Sequence, residues 1–206
     1  MKHISLLAAA ALFSVGSISS AGETWGVPMP PTETGFSYDY VDFDWLFQEF
    51  DSDLDNGNGW SAALTKSVGD TFFFNAGYAQ LDTDILSSDA DVDISRISIG
   101  GGAHFALSAK IDAVLRAAAL YTDADIDGLP EDMDEWGYLV GAGLRIQVLE
   151  NLEIFTDANW VDSLNDGQVE ATAGGILQLT ESIGLRVGGR FVDDSNQLFV
   201  GGRVNF

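Results

Sequence analysis

Six arginines, Arg96, Arg116, Arg145, Arg186, Arg190 and Arg203, each stand on the more polar side of a segment whose apolar residues alternate with period two. Asp42, Asp44, Asp112, Glu153, Asp157 and Glu170 occupy the same side of such segments. Guanidinium and carboxylate groups confined to one face neutralise one another as hydrogen-bonded ion pairs, and a narrow interior tolerates them only when they do. A network of this kind either locks neighbouring segments together or forms a charged constriction that sorts solutes.

A second acidic set lies between the segments. Asp51, Asp53 and Asp55 begin like a calcium-binding EF-hand loop, but Asn56 and Ala62 stand where that loop needs Gly and Glu. Together with Asp123, Asp125 and Asp127 they are expected to bind Ca²⁺ only at about millimolar concentration, and no cofactor is implied. The other reading of this acid is a solvated, self-repelling surface. His104 is the one histidine beyond the N-terminal signal, and the chain has no Cys, which argues against transition-metal and thiol chemistry. No Ser–His–Asp pattern suggests an enzyme. Gly100-Gly101-Gly102 and Gly141-Ala142-Gly143 neither complete a dinucleotide fingerprint nor open a helix.

The elements that must hold these residues are strands. Ile111, Ala113, Leu115, Ala117, Ala119 and Tyr121 alternate with Asp112, Val114, Arg116, Ala118 and Leu120. Trp136 to Val148 and Val169 to Leu179 repeat the pattern, and Gly59–Lys66, Thr71–Leu81, Ile94–Leu107, Leu152–Val161, Gly184–Val192 and Leu198–Phe206 follow it less regularly. The first segment, Phe36 to Phe47, is read with Val41, Phe43, Trp45 and Phe47 on the apolar side, because the other register would place Asp42 and Asp44 there. Short links at 68–70, 108–110, 150–151 and 181–182 trade places with longer ones near 48–58, 82–93, 122–135, 162–168 and 193–197. Tight turns at one end and long, acidic loops at the other describe an all-β, closed, antiparallel up-and-down transmembrane barrel of ten strands, with eight as the alternative.

Composition limits the partners. Nine Lys and Arg against 32 Asp and Glu give a net charge of -23 over 206 residues, which excludes nucleic-acid binding through a basic surface. Lys2, the apolar run Leu6 to Phe13 and Ser19-Ser20-Ala21 read as a signal peptide over residues 1–21, since the run is shorter than the roughly 20 residues of a membrane anchor helix. Residues 22–35 read as a flexible leader and 36–206 as the barrel.

A soluble barrel would solvate its outer face with Lys and Glu. Here Arg shares its face with small residues such as Ser98, Gly100, Gly141, Gly174, Gly188 and Gly201, as in a crowded lumen. The repeated Gly-Gly-Arg of Val187–Phe191 and Val200–Val204 suggests that Gly188 and Gly201 make room for the guanidinium groups. Trp60, Tyr121, Trp136 and Trp160 mark one rim, and Phe72, Phe105 and Phe206 the other, as interfacial girdles do.

On YDYVDFDW (Tyr38 to Trp45), GWSAALTKSVGDTFFFNAGY (Gly59 to Tyr78) and FVGGRVNF (Phe199 to Phe206), the chain resembles the small porin-like outer-membrane β-barrel proteins, related to the OmpA transmembrane domain and to OmpX and opacity-type barrels. It departs from them in having ten segments, where those relatives typically have eight. The resemblance implies the bacterial outer membrane, contact with lipid and lipopolysaccharide, and recognition of the C-terminal strand by the barrel-assembly machinery. It names no surface partner. The expected role is structural or surface-interacting through the acidic loops, with a narrow pore, lined by Arg96, Arg116, Arg145, Arg190 and Arg203, as the alternative.

Overall fold

The structure, a computed structural model, describes residues 35–50, 56–85, 90–126, 133–163, 166–192 and 195–206. The segment expected to be a signal peptide, 1–21, and the expected leader up to residue 34 lie outside the described residues.

Ten strands follow in chain order: β1 (Tyr40–Phe50), β2 (Gly57–Val68), β3 (Phe72–Ile85), β4 (Ala90–Ser108), β5 (Ile111–Ile126), β6 (Met133–Leu149), β7 (Leu152–Ser163), β8 (Asp166–Gln178), β9 (Ile183–Val192) and β10 (Ser195–Asn205). Each pairs antiparallel with its neighbours in sequence, and β1 closes the cylinder against β10. Closure leaves no unpaired edge, the condition for spanning a bilayer with strands.

Alternation decides the faces. Val41, Phe43, Trp45 and Phe47 are exposed on the outside of β1, while Asp42 and Asp44 are each 6% exposed inside. Leu115, Val140, Ile154, Val187 and Val200 likewise stand outward on their strands. An apolar surface this continuous suits hydrocarbon and not water. Tyr121 packs on Trp136 at 5.2 Å and Phe43 on Trp60 at 5.9 Å on this outer face.

Two boundaries differ from the sequence reading. The first strand begins at Tyr40, not Phe36: residues 36–39 precede the ladder, and Tyr38, 4% exposed, joins Phe73, Val114 and Phe36 in a small apolar cluster. The apolar parity reverses here, from Phe36, Tyr38 and Tyr40 to Val41, Phe43, Trp45 and Phe47, so the change of phase coincides with the start of the strand. The long connections are also shorter than expected, because the ladders run on: β3 and β4 pair out to Ile85 and Ala90, and β5 and β6 out to Ala124 and Met133. Asp82, Asp93, Asp123, Asp125, Asp134, Glu135 and Asp162 therefore sit on strands and not in loops. Asp is poor in strands on average, but an outward position beyond the hydrocarbon leaves its carboxylate in water and removes the penalty.

The tight-turn end has its own signatures. Gly69 adopts φ 70° in the turn after β2, a conformation that residues with a Cβ rarely take. Register shifts at Ala106/Ser108 and Gln147/Leu149 precede the turns that follow β4 and β6.

Candidate functional site: the charged lumen

The inner face is a stack of ion pairs that climbs from the tight-turn end. At the base, Arg145 Nε and Nη2 donate to the two carboxylate oxygens of Glu153 at 2.6 and 2.8 Å, and Nη1 donates to the Ser37 carbonyl at 2.8 Å. Its guanidinium lies 4.6 Å from the Tyr38 ring centre and 4.8 Å from that of Phe36. Tyr38 stacks on His104 at 4.0 Å and donates its hydroxyl to Asp112 Oδ2 at 3.1 Å, while His104 Nδ1 lies 3.4 Å from the same oxygen. Just outside the base, the Ser67 N–H donates to Asp39 Oδ1 at 2.7 Å and Lys66 Nζ lies 3.2 Å away. The Ser67 hydrogen bond first, and Lys66 with it, hold the Asp39 carboxyl below the usual carboxylate range.

One step up, Arg203 binds both oxygens of Asp42 at 2.7 and 2.9 Å, with the Tyr40 ring centre 3.5 Å from its guanidinium. Arg186 pairs with Asp44, reaches Asp42 at 3.3 Å, and lies beside the rings of Phe155 and Phe199. Bidentate, charge-assisted geometry offsets the desolvation that these groups suffer.

Toward the long-loop end the pairing thins. Arg116 Nη2 meets Asp157 at 2.5 Å. Glu170 serves two cations, Arg96 at 3.4 Å and Arg190 at 3.9 Å. Gln197 Nε2 donates to Gln48 Oε1 at 2.8 Å, and the hydroxyls of Thr122 and Ser163 meet at 3.2 Å.

All six arginines thus have carboxylates beside them, drawn from Asp42, Asp44, Glu153, Asp157 and Glu170, whereas Asp112 is engaged by Tyr38 and His104. Their charges are unevenly divided. Near the base Arg145, Arg186 and Arg203 pair with Glu153, Asp44 and Asp42, while above them, among the described residues, Arg96, Arg116 and Arg190 pair with Asp157 and Glu170 alone.

The glycines have a different role from the one expected. A Cβ on Gly188 would meet the Phe199 ring, and one on Gly201 would meet the Asp44 carboxylate and the Phe43 backbone; neither makes room for a guanidinium. Gly102 and Gly174 give the same clearance to the inward rings of Phe73 and Phe155. Sequence reasoning missed these lumenal aromatics, including Tyr38, because it assigned the inner face from charged and small residues alone. The signal was available for Phe73, which shares its parity with Asn75 and Gly77.

Cavities remain between the described residues of the lumen. One of 280 Å³ lies among Tyr40, Asp42, Arg96, Arg116, Asp157 and Arg186. Another of 420 Å³ lies at the long-loop end among Leu46, Gln48, Arg96, Glu170, Arg190 and Gln197. Arg96, Glu170 and Arg190 border both.

Of the calcium candidates, Asp51, Asp53, Asp55 and Asp127 lie outside the described residues. Asp125 pairs in register with Asp93, and Asp123 with Asp134, on the outer wall. Among the described residues, no group of three or more carboxylates or histidines is placed to hold a metal ion.

The family model described as "Outer membrane protein beta-barrel domain" matches residues 5–191. No curated protein matches the sequence. Among solved structures, the NanC porin is 7% identical, with 81% of this chain and 99% of that one covered and a TM-score of 0.52. The beta domain of the Bordetella autotransporter BrkA is 12% identical, covers 82% and 98%, and has a TM-score of 0.51. Neisserial surface protein A is 16% identical over 82% and 98%, with a TM-score of 0.46. At these identities the likeness is one of fold.

Proposed function

Because this chain belongs to the family of outer membrane protein beta-barrel domains and so resides in the bacterial outer membrane, we propose that it is a non-conducting structural barrel that acts through its acidic outer end. The observation that carries this reading is the base of the lumen. Tyr38, His104, Asp112, Arg145 and Glu153 span it with stacked rings and bidentate ion pairs, leaving no group there that water could separate at low cost.

The outer end then does the work. Glu49, Asp82, Asp93, Asp123, Asp125, Asp134 and Asp162 ring the ends of the strands, and this density of carboxylates favours a cationic partner or the divalent ions that bridge lipopolysaccharide phosphates. The outward apolar face contacts lipid in this reading, and β10 with Phe206 after it is the segment that the assembly machinery would recognise.

Planar-bilayer recording of the purified, folded barrel tests the reading. Membranes should stay at baseline conductance; steady openings whose ion selectivity changes on replacing Arg116 would overturn it. That result would instead establish the second reading, a narrow passive pore, which the two cavities sharing Arg96, Glu170 and Arg190 favour.

A further inference from the structure

We propose that the outer cavity of the lumen binds a small organic anion that also carries hydroxyl groups, with Arg190 holding the anionic group and Gln197 a hydroxyl. The inference goes beyond the function proposed above and needs no conduction, because the site lies above the closed base.

Four observations carry it. The cavity measures 420 Å³, within the range of small-molecule sites, which run from roughly 300 to 1,000 Å³. Its charge is out of balance toward cations: Arg96 and Arg190 share Glu170, and at 3.9 Å Arg190 is beyond hydrogen-bond distance of that carboxylate. Two buried polar atoms on its wall lack a hydrogen-bond partner among the described residues. They are the donor Arg190 Nε and the acceptor Gln197 Oε1.

The fourth observation is register. Gln197 on β10 lies directly opposite Arg190 on β9, so the donor and the acceptor project from neighbouring positions of one face. A carboxylate and a hydroxyl on adjacent carbons would meet both atoms at once. Ser195 and Gln168 add polar groups, while Leu46 and Ile94 supply an apolar wall. An anion entering here pairs with a partly exposed guanidinium that lies beyond hydrogen-bond distance of Glu170, and a hydroxyl satisfies an acceptor that is otherwise costly to bury. A neutral sugar would gain only the second interaction, and a simple carboxylate only the first.

Calorimetric titration of the folded full-length barrel in detergent at low salt tests the proposal, with gluconate, acetate and glucose as probes. Gluconate should give saturable heat, acetate should bind more weakly, and glucose should give none. Arg190→Gln should weaken gluconate by about tenfold or more, the loss of one charge-assisted hydrogen bond. Gln197→Leu should weaken gluconate yet leave acetate unchanged, which a merely destabilised barrel would not do. Heat-modifiable migration on a gel confirms that each variant is folded. Absence of saturable gluconate heat in the folded parent, equal binding of glucose, or an unchanged affinity in either variant would overturn the proposal. The bilayer recording is independent of these outcomes, so failure here leaves the non-conducting reading standing, and the reverse also holds.

Discussion

Tyr38 donates its hydroxyl to Asp112 Oδ2 at 3.1 Å across 74 positions of the chain. The contact fastens the residues that precede β1 to the inner wall of β5, on the far side of the cylinder. Since His104 and Arg145 pack on the faces of the same ring, Tyr38 is the piece around which the base of the lumen closes.

Replacing Tyr38 should therefore be costly in two separable parts. Tyr38→Phe removes only the hydrogen bond and should lower stability by about 1 kcal/mol. Tyr38→Ala also empties the site and should lower it by about 3 to 5 kcal/mol. Urea unfolding in lipid vesicles measures both, and equal losses would mean that the ring contributes no packing.

The Arg145–Glu153 pair should show the asymmetry of buried ions. Arg145→Met leaves Glu153 without its bidentate partner and should cost about 3 to 5 kcal/mol. Adding Glu153→Gln should recover part of that loss, because no uncompensated charge then remains. A double variant as unstable as the sum of the two single ones would show that the pair does not act as a unit.

On the outer face the solvent is lipid. Val200→Arg, near the middle of β10 and outward, should destabilise the barrel by about 2 to 4 kcal/mol in a bilayer. The same substitution at Leu179, beyond the end of β8, should cost far less. Equal costs at both positions would contradict the orientation.

Asp93 faces two aspartates in register, Asp82 on β3 and Asp125 on β5. Like charges directly opposite repel, so Asp93→Asn should stabilise the barrel by a few tenths of a kcal/mol at low salt. The gain should vanish near 1 M salt, where screening acts within about 3 Å. Parallel unfolding curves at the two ionic strengths decide it.

Acid should loosen the start of β1. Asp39 titrates below its unfolded value because Ser67 donates to its charged form. The folded state then binds its proton less readily than the unfolded one. The stabilisation is complete above the ordinary Asp pKa of about 3.9 and is lost as pH falls through the lower folded value. Subtracting the pH–stability curve of Asp39→Asn should isolate this window; a difference that grows toward acid would have the wrong sign.

Much of this was legible from sequence, for one reason: in a strand, parity is orientation. Once Val41 and Phe43 are read as facing lipid, Asp42 must face the lumen, and the same step places Arg116, Arg145 and Arg203. It applies equally to the inward aromatics, which sequence reasoning missed. Phe36 and Tyr38 carry the parity of Asp42 and not of Val41, and Phe155 and Phe199 likewise keep the parity of the charged residues although they are aromatic.

Local pattern alone was enough to set the strand count, the inward choice for the charged residues and the accumulation of acid at one end, because each depends only on near neighbours along the chain. Pairings across the lumen were decided by the closed cylinder. Tyr38 with Asp112, Arg186 with Asp44 and Glu170 with Arg96 join residues 74 or more positions apart, and only the shear of ten strands sets which of them share a level. The contrast between the bidentate ion pairs of the base and the outer cavity, where Arg96 and Arg190 share Glu170, arises from that same closure.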